Sequence, residues 1–321
     1  MRIVITGGAG FIGSNLARAA MVEPTVGGVT VLDDFSVGLR TNLDGLDVEL
    51  IEGSILDPAA LDAAMAGCEA VVHLAALPSV PRSLSDPLAS HHANATGTLM
   101  VLEAARRHRV GHVLVASSSS VYGMNPALPK TELTWTRPMS PYAASKLATE
   151  AYALAHQASF GLPTVAFRFF NVFGPGQRHD HAYAAVIPRF VHAALRDEPV
   201  VLHGDGTQSR DFTYVGTVCD VILDALRRRV HHPHPVNLAF GARASLLRVL
   251  DELEWLCGRP IAREYAPPRT GDVAHSLADN TTLRQLFPGV APVARSEGLR
   301  ATVEWMAGRL DAEPAVAAAP R

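Results

Sequence analysis

A tyrosine and a lysine four residues apart are the pair in this sequence best suited to proton transfer. Tyr142 and Lys146 occur in Pro-Tyr-Ala-Ala-Ser-Lys, at the start of a segment with helical periodicity. A spacing of four residues places both side chains on one face of a helix. An ammonium beside a phenol stabilises the phenolate and lowers the pKa of the phenol. The pair therefore predicts a base that can take a proton from a hydroxyl group.

The composition makes this pair more informative than its spacing does. Of 28 basic residues only two, Lys130 and Lys146, are lysines. A chain that uses arginine almost everywhere has a lysine where a compact charge on a flexible stem would serve and a planar guanidinium would not. The alternative, an incidental surface pair, is common for an isolated Tyr-x-x-x-Lys and is disfavoured here.

A run of four serines, followed by Val-Tyr-Gly, comes at the end of a strand-like segment. Side chains that leave the carboxyl end of a parallel strand point into the crevice where ligands bind. Ser118 and Ser119 in this run are therefore candidates to contact a substrate. The alternative is an ordinary polar loop.

Glycines at positions 7, 10 and 13 lie between the first strand-like segment and the first helix. Without side chains they let the backbone approach a pyrophosphate at a helix N-terminus. Asp33 ends the next strand, 20 residues after Gly13. A carboxylate at this distance accepts hydrogen bonds from ribose hydroxyls and repels a 2′-phosphate, which favours NAD over NADP.

The first half alternates short β-branched runs with helical patterns, which predicts a doubly wound parallel sheet in an α/β fold. We expect a dinucleotide-binding domain at 1–170, with a segment near 211–240 that returns to it. A smaller, looser lobe is expected mainly at 171–310, and a flexible tail at 311–321. The expected strands and helices are strands at 2–6, 29–33, 48–52, 70–74, 112–117, 164–169 and 235–239, and helices at 11–22, 58–65, 93–108, 141–160 and 215–229.

The composition limits the possible partners. A net charge of −3 with 48% hydrophobic residues indicates a globular protein and argues against a nucleic-acid or membrane-surface binder. Cys68, Cys219 and Cys257 lie far apart, so neither disulfides nor a zinc site is expected. The histidines at 179, 181, 231, 232 and 234 lack partners at diagnostic spacings, and we expect no metal site. No signal peptide or membrane span is predicted, and we expect a cytoplasmic protein.

Together these motifs resemble the extended short-chain dehydrogenase/reductase family, and within it the nucleotide-sugar epimerases and dehydratases. The resemblance spans nearly the whole chain and implies a Rossmann-like domain with a smaller mixed α/β substrate-binding lobe. Further motifs that carry it are His73-Leu74-Ala75-Ala76, Ser79-Val80-Pro81-Arg82-Ser83, Asn94, Arg168 to Pro175, Ala182 to Phe190, Gly204-Asp205-Gly206, Ser209 to Phe212 and Arg269-Thr270-Gly271-Asp272-Val273.

The resemblance implies a role for each matching residue. Tyr142 is the implied base, Lys146 its partner and ligand of the nicotinamide ribose, and Ser118 the hydroxyl that orients the sugar O4. The implied NAD-binding residues are Gly7, Gly10, Phe11, Ile12, Gly13, Asp33, Ser54, Ile55, Leu74, Ala75, Ala76, Asn94, Tyr142 and Lys146. The implied substrate-binding residues are Ser79, Ser118, Ser119, Asn171, Ala185, Val186, Arg189, Arg210, Arg269 and Asp272.

The implied activity is a net redox-neutral change of a UDP-N-acetylhexosamine through transient oxidation at C4. The Tyr-Ala-Ala-Val-Ile-Pro stretch is most similar to UDP-N-acetylglucosamine 4-epimerases, so 4-epimerisation is favoured. The tunicamycin-pathway UDP-N-acetylglucosamine 5,6-dehydratase has a similar scaffold and remains an alternative. A 4,6-dehydratase is less favoured, because those enzymes have Thr-Asp-Glu where this chain has Ser118-Ser119-Ser120. A non-catalytic NAD-binding regulator and a net dehydrogenase are the remaining alternatives.

The sequence departs from the family pattern at a few positions, and the resemblance also suggests an assembly. Ser54 stands where many relatives have Asp, and Met124 where a polar residue is commoner. Relatives dimerise through two helices per subunit, which here correspond to 93–108 and 141–160. A homodimer is therefore expected.

Overall fold

The central sheet consists of parallel strands only. The computed structural model describes residues 1–181, 184–267 and 274–312. The described strands are β1 (Arg2–Thr6), β2 (Gly28–Asp33), β3 (Glu49–Glu52), β4 (Ala70–His73), β5 (His112–Ser118), β6 (Thr164–Phe169), β7 (Val172–Phe173), β8 (Val200–His203), β9 (Ser209–Asp211), β10 (Thr213–Tyr214), β11 (Val236–Leu238), β12 (Arg243–Ser245) and β13 (Arg263–Ala266). Seven of them form one sheet in the order β11-β6-β5-β4-β1-β2-β3.

The strand order reverses between β1 and β4. From β1 the chain builds outward through β2 and β3, and it then returns to place β4 on the other side of β1. In open α/β sheets, ligands bind at the carboxyl ends of the strands next to such a reversal. This part of the sheet therefore positions the candidate site.

Helices cover both faces of the sheet. The described helices are α1 (Phe11–Ala20), α2 (Pro58–Met65), α3 (Val80–Ser85), α4 (Pro87–His91), α5 (Gly97–Arg107), α6 (Pro141–Phe160), α7 (Val186–Arg196), α8 (Val215–Arg228), α9 (Leu246–Cys257), α10 (Thr281–Leu286) and α11 (Arg295–Ala312). Residues of α1 and α8 share one buried cluster with the sheet. Residues of α2 and α5 share a second cluster on the opposite face. The layers confirm the expected doubly wound α/β fold.

Helix α6 begins and ends at strong local signals. Ser140 caps its N-terminus by accepting a hydrogen bond from the Ala143 N–H at 3.1 Å, and Pro141 occupies the first helical position. Gly161 ends it in the left-handed conformation, with φ of 68°. These signals fix the register of the helix that carries Tyr142 and Lys146.

The smaller lobe is built from three two-stranded sheets: β7 with β10, β8 with β13, and β9 with β12. Its apolar core contains Phe173, Phe190, Leu250 and Leu253, together with side chains of α11. Residues 269 and 272, two predicted substrate ligands, and the end of the chain from 313 lie outside the described residues. None of the described helices has the length and apolarity needed to cross a bilayer.

Candidate active site

The loop between β1 and α1 leaves room for a ligand only because it contains glycines. Gly7 has φ of +71°, and a methyl group there would lie 2.7 Å from the Ala75 Cα. A methyl group on Gly13 would lie 2.3 Å from the Gly7 carbonyl oxygen. No side chain caps α1 at Gly10, so the N–H groups of Phe11 and Ile12 in its first turn can bind an anion. The loop fits the pyrophosphate of a dinucleotide.

Asp33 lies at the end of β2 beside this loop. Its Oδ2 accepts the Ala9 N–H at 2.9 Å, and its Oδ1 accepts the Phe35 N–H at 2.8 Å. Burial raises the pKa of Asp33, and these two hydrogen bonds oppose the rise. Each carboxylate oxygen keeps a lone pair for a further donor, which fits the predicted contact with ribose hydroxyls.

The loops after β3 and β4 contain further predicted coenzyme ligands. Ser54 Oγ accepts the Leu56 N–H at 3.2 Å, and Ile55 is buried. Leu74 continues β4, since its N–H donates to the Thr6 carbonyl at 3.0 Å. It leads into Ala75 and Ala76.

Asn94, another predicted coenzyme ligand, is fully buried, and both polar atoms of its side chain are bonded within the protein. Its Oδ1 accepts the Leu77 N–H at 2.8 Å, and its Nδ2 donates to Ser145 Oγ at 2.9 Å. It lies in the π-helical turn His92–Thr96 between α4 and α5. In this structure its carboxamide therefore supports the loop after Ala76.

Tyr142, Lys146 and Ser118 meet where β5 ends beside the first turns of α6. Lys146 is buried, and its Nζ donates to the Ala116 carbonyl at 2.8 Å. Burial lowers the pKa of Lys146 to about 8. Ser118 Oγ donates to Ser120 Oγ at 3.1 Å, and Ser119 begins the short 3-10 turn Ser119–Tyr122.

Burial opposes the predicted lowering of the Tyr142 pKa. Desolvation by the surrounding protein raises the pKa of Tyr142, and a hydrogen bond with Ser118 opposes the rise. The Lys146 ammonium donates its hydrogen bond to the Ala116 carbonyl at 2.8 Å. The spacing of four residues gives the shared helical face but not this competing acceptor.

A buried ion pair holds α6 against the sheet one helical turn beyond Lys146. Arg168 at the end of β6 donates to Glu150 through Nε at 3.0 Å and Nη2 at 2.6 Å. Ser117 Oγ donates to the same carboxylate at 2.8 Å. The pair fixes the helix that carries the phenol relative to the strand that carries Ser118.

A cavity of about 440 Å³ lies between the sheet and the smaller lobe. Several of the predicted substrate ligands line it, namely Ser79, Asn171, Ala185, Val186, Arg189 and Arg210. Ser79 also caps α3, accepting the Arg82 N–H at 3.1 Å. Asn171 follows β6 with φ of 34°. Two guanidinium groups in one wall suit a diphosphate.

The sequence motifs did not indicate other residues of this wall, among them Gln177, His203 and Gln208. Gln177 Nε2 donates to the Val172 carbonyl at 3.1 Å, while its buried Oε1 has no hydrogen-bond partner among the described residues. Its place two residues after the Phe-Gly-Pro stretch was the only available signal. The wall depends on folding of distant segments that no local pattern reveals.

Comparisons with known proteins agree with this geometry. Residues 3–239 match the model of the NAD dependent epimerase/dehydratase family. The chain is 35% identical over 312 residues to a UDP-glucose 4-epimerase of Mycolicibacterium smegmatis, covering 95% of this chain and 98% of that protein. The parallel sheet, glycine loop and Tyr-Lys pair define a nucleotide-sugar enzyme of this class, and the chain belongs to the NAD dependent epimerase/dehydratase family.

Solved structures are similar over almost the full length. A UDP-N-acetylglucosamine 4-epimerase from Methanobrevibacter ruminantium, in complex with UDP-N-acetylmuramic acid, has a TM-score of 0.90 and 36% identity, covering 96% of this chain and 98% of that one. A UDP-glucose 4-epimerase of Thermus thermophilus in complex with NAD has a TM-score of 0.86 and 34% identity, covering 96% and 99%. The family is NAD dependent, which confirms the predicted cofactor.

Proposed function

We propose that this protein is a 4-epimerase of a UDP-N-acetylhexosamine of the UDP-N-acetylglucosamine type, with NAD retained through the cycle. The observation that carries the proposal is the position of Tyr142 and Ser118 at the carboxyl ends of the parallel strands, where the glycine loop also lies. The proposal is also supported by the similarity to epimerases of UDP-glucose and UDP-N-acetylglucosamine.

Each residue of the proposed site has one task. Tyr142 takes the proton from the sugar O4 and returns it, and Ser118 orients this hydroxyl by hydrogen bonding. Lys146, with a pKa of about 8, stays largely charged at neutral pH and holds the ribose next to the nicotinamide. NAD, when bound, supplies a hydride acceptor and donor for C4 and a positive charge that favours the phenolate.

The substrate lobe holds the part of the substrate that does not react. Arg189 and Arg210 in the cavity wall suit the two phosphates, and Ala185 and Val186 suit the uracil and ribose. Asn171 and Ser79 lie in the same wall and suit the sugar. Arg269 and Asp272 complete the proposed substrate ligands. With UDP held in this way, the hexose can turn and present its other face.

The choice of epimerisation over dehydration rests on the groups available for chemistry at C5 and C6. Dehydration needs a base for the C5 proton and an acid for the departing 6-hydroxyl. After Ser118, the chain has Ser119 and Ser120 at the positions where a pair of carboxylates could act as this acid and base. The 5,6-dehydratase is the second candidate, favoured by the similarity of the scaffold.

The test is to incubate the protein with UDP-N-acetylglucosamine in D2O and follow the product by NMR. We expect UDP-N-acetylgalactosamine without deuterium at C5, because epimerisation exchanges no carbon-bound proton with solvent. Deuterium at C5 or a vinyl signal would identify a dehydratase. An absorbance rise at 340 nm, about one NADH per product, would identify a net dehydrogenase, and full activity of Tyr142→Phe would contradict the proposed chemistry.

We also propose a homodimer that pairs α5 and α6 of each subunit. Tyr152 and Phe160 on α6 leave 39% and 57% of their surface exposed. Apolar side chains of this size on a long helix suit a helix-to-helix interface. Sedimentation equilibrium should give about twice the chain mass of 34.2 kDa, and a monomer would contradict the proposal.

A further inference from the structure

The short strand β9 has neighbours on both sides. It pairs antiparallel with β12, and Ser209 forms a parallel bridge with His275. The Ser209 N–H donates to the Ala274 carbonyl at 3.0 Å, and the Ser276 N–H donates to the Ser209 carbonyl at 3.0 Å. Strand β9 is therefore the central strand of a small sheet that includes segment 274–278.

The carboxylate of Asp211 takes the place of a carbonyl in this small sheet. Parallel ladders repeat every second residue, so the next donor, the Ala278 N–H, would reach the Asp211 main-chain oxygen. It donates instead to Asp211 Oδ2 at 3.1 Å. The main-chain oxygen of Asp211 accepts a hydrogen bond from Asn171 Nδ2 at 3.1 Å. The side chain of Asp211 thereby makes its own carbonyl available to a residue of the cavity wall.

This arrangement is costly to the fold. Asp211 is fully buried, and burial raises its pKa to about 6, opposed by the N–H groups of Ala278, Ala242 and Gly241. Its Oδ1 makes no hydrogen bond of ordinary geometry within the described part of the chain. A buried polar atom left unpaired costs about 1–3 kcal/mol. Stability alone therefore does not explain an acid at this position.

Arg210, the residue before Asp211, depends on the segment that the Asp211 carboxylate holds in place. Alternate residues of a strand face opposite sides, and Arg210 lines the cavity while Ser209 and Asp211 are buried away from it. Arg210 Nη1 donates to the carbonyls of Ser209 at 3.0 Å and Ala274 at 3.3 Å. The guanidinium thus rests on segment 274–278, which the Asp211 carboxylate ties to β9.

We propose that Asp211 is a positioning residue that fixes Asn171 and Arg210 in the cavity wall for a nucleoside diphosphate-sugar. The inference rests on the proposed function. Without the carboxylate, the Ala278 N–H would compete for the Asp211 carbonyl, so Asn171 would lose its acceptor. Segment 274–278 would shift, and Arg210 would lose part of its support. The effect falls on substrate binding, because neither contact reaches Tyr142 or the glycine loop.

The test compares Asp211→Asn with the wild-type protein, with UDP as the probe in titration calorimetry. The amide keeps the shape but has one acceptor oxygen. With this oxygen toward the two N–H groups of Gly241 and Ala242, the NH2 group faces the Ala278 N–H, which loses its acceptor. We expect the Kd for UDP and the KM for UDP-N-acetylglucosamine to rise roughly tenfold. We expect kcat to change less than about twofold and bound NAD per chain to stay the same, which a merely structural role would not give.

Asp224→Asn is the matched control. Asp224 is also a buried acid, which binds Arg227 and Arg228 on α8, and it does not line the cavity. We expect this variant to lower Tm and leave the Kd for UDP unchanged. If Asp211→Asn does not fold, Ser209→Ala provides a milder change in the same small sheet, because it removes the contacts of Ser209 Oγ with Arg243 and His275. Its Kd for UDP should also rise.

The outcomes separate the two proposals. If the wild-type protein binds UDP and Asp211→Asn binds it equally well, the inference alone is wrong. A parallel fall of UDP affinity, kcat, NAD content and Tm in Asp211→Asn would also overturn the inference, because it would indicate general unfolding. If the wild-type protein does not bind UDP, the proposed function is wrong and the inference fails with it.

Discussion

Two regions position their polar side chains in different ways: the part built on the seven-stranded sheet, here called the coenzyme half, and the smaller lobe, here called the substrate lobe after its proposed role. In the coenzyme half, the glycine loop follows β1, and Asp33 and Ser118 are the last residues of β2 and β5, all in one seven-stranded sheet. In the substrate lobe, Arg210 lies on a strand of three residues, β9, that has only small sheets around it. Long strands fix the first set of side chains, whereas individual hydrogen bonds fix the second.

Buried polar groups do not follow the same division. His73 in the coenzyme half is bonded at both nitrogens, to Thr6 Oγ1 at 2.7 Å and to Thr98 Oγ1 at 3.0 Å. Among the described residues, however, buried side-chain atoms without a hydrogen-bond partner occur in both regions, on Ser90 and His112 of the coenzyme half and on Asp211 and Thr213 of the substrate lobe. The two regions therefore differ in the length of the strands that carry their polar side chains and not in the pairing of buried polar atoms.

Removal of the proposed base should have the largest effect. Tyr142→Phe should lower kcat by a factor of about 10²–10⁴, because general base catalysis contributes a factor of this size. Bound NAD and Tm should remain as in the wild type. Tyr152→Phe, on the same helix, is the control and should keep full activity. If Tyr142→Phe kept more than a tenth of the wild-type activity, the proposal that this half performs the proton transfer would be wrong.

A methyl group in the glycine loop should have the next largest effect. Gly13→Ala places a carbon 2.3 Å from the Gly7 carbonyl oxygen, so the loop must shift and NAD affinity should fall roughly a hundredfold. The measurement is NAD released per chain after denaturation. Gly308→Ala in α11, where a methyl group meets no atom within 4 Å, should leave NAD bound. An unchanged NAD content in Gly13→Ala would refute this account of the loop.

Acid should destabilise the coenzyme half through His73. Burial lowers the pKa of His73 to about 3, with the Lys146 charge contributing. The unfolded chain therefore binds a proton between pH 6.5 and 3 that the folded chain does not, and stability falls as pH falls through this range. The loss is about 2 kcal/mol at pH 5.

Urea unfolding at pH 7 and pH 5 checks this prediction in the wild type and in His73→Gln. The variant should lose less stability between the two pH values, because glutamine does not titrate. The same loss in both proteins would assign the pH dependence to other groups.

A change in the substrate lobe should have the smallest effect and act on binding alone. Arg210→Met should raise the KM for the UDP-sugar about tenfold by removing a charged hydrogen bond, with kcat nearly constant. Arg300→Met, at a residue that packs on Trp255 and does not line the cavity, is the control. If steady-state kinetics showed that Arg210→Met changes kcat instead of KM, the proposal that the substrate lobe acts on binding alone would be wrong.

Regular elements were predictable from the sequence because their signals are local. The strand Thr164–Phe169 and the helices Pro58–Met65 and Pro141–Phe160 have the predicted bounds. In the segment predicted as one helix at 93–108, the α-helix covers Gly97–Arg107 and follows a π-helical turn, His92–Thr96, for which the sequence motifs had no signal. Strands of two residues, such as Thr213–Tyr214, are too short to produce a hydrophobic period.

The candidate site was predictable in part for the same reason. The glycine spacing and the Tyr-Lys spacing each lie within a few residues, and both features lie at the predicted ends of elements. Gln177 and Asp211 were not singled out, because their roles depend on contacts with segments that are distant in the sequence. The cavity residues that were predicted as substrate ligands were predicted from the resemblance to the family, because residue spacing alone did not indicate them.

The sequence by itself determined the alternation of strands and helices, the open glycine loop and the shared helical face of Tyr142 and Lys146. These features depend on backbone geometry over one or two turns, which neighbouring residues control. Only the tertiary structure decided that the Lys146 ammonium meets the Ala116 carbonyl, and that the Asp211 carboxylate meets the Ala278 N–H. Such contacts join groups that are 30 and 67 residues apart, and burial of the whole core brings them together.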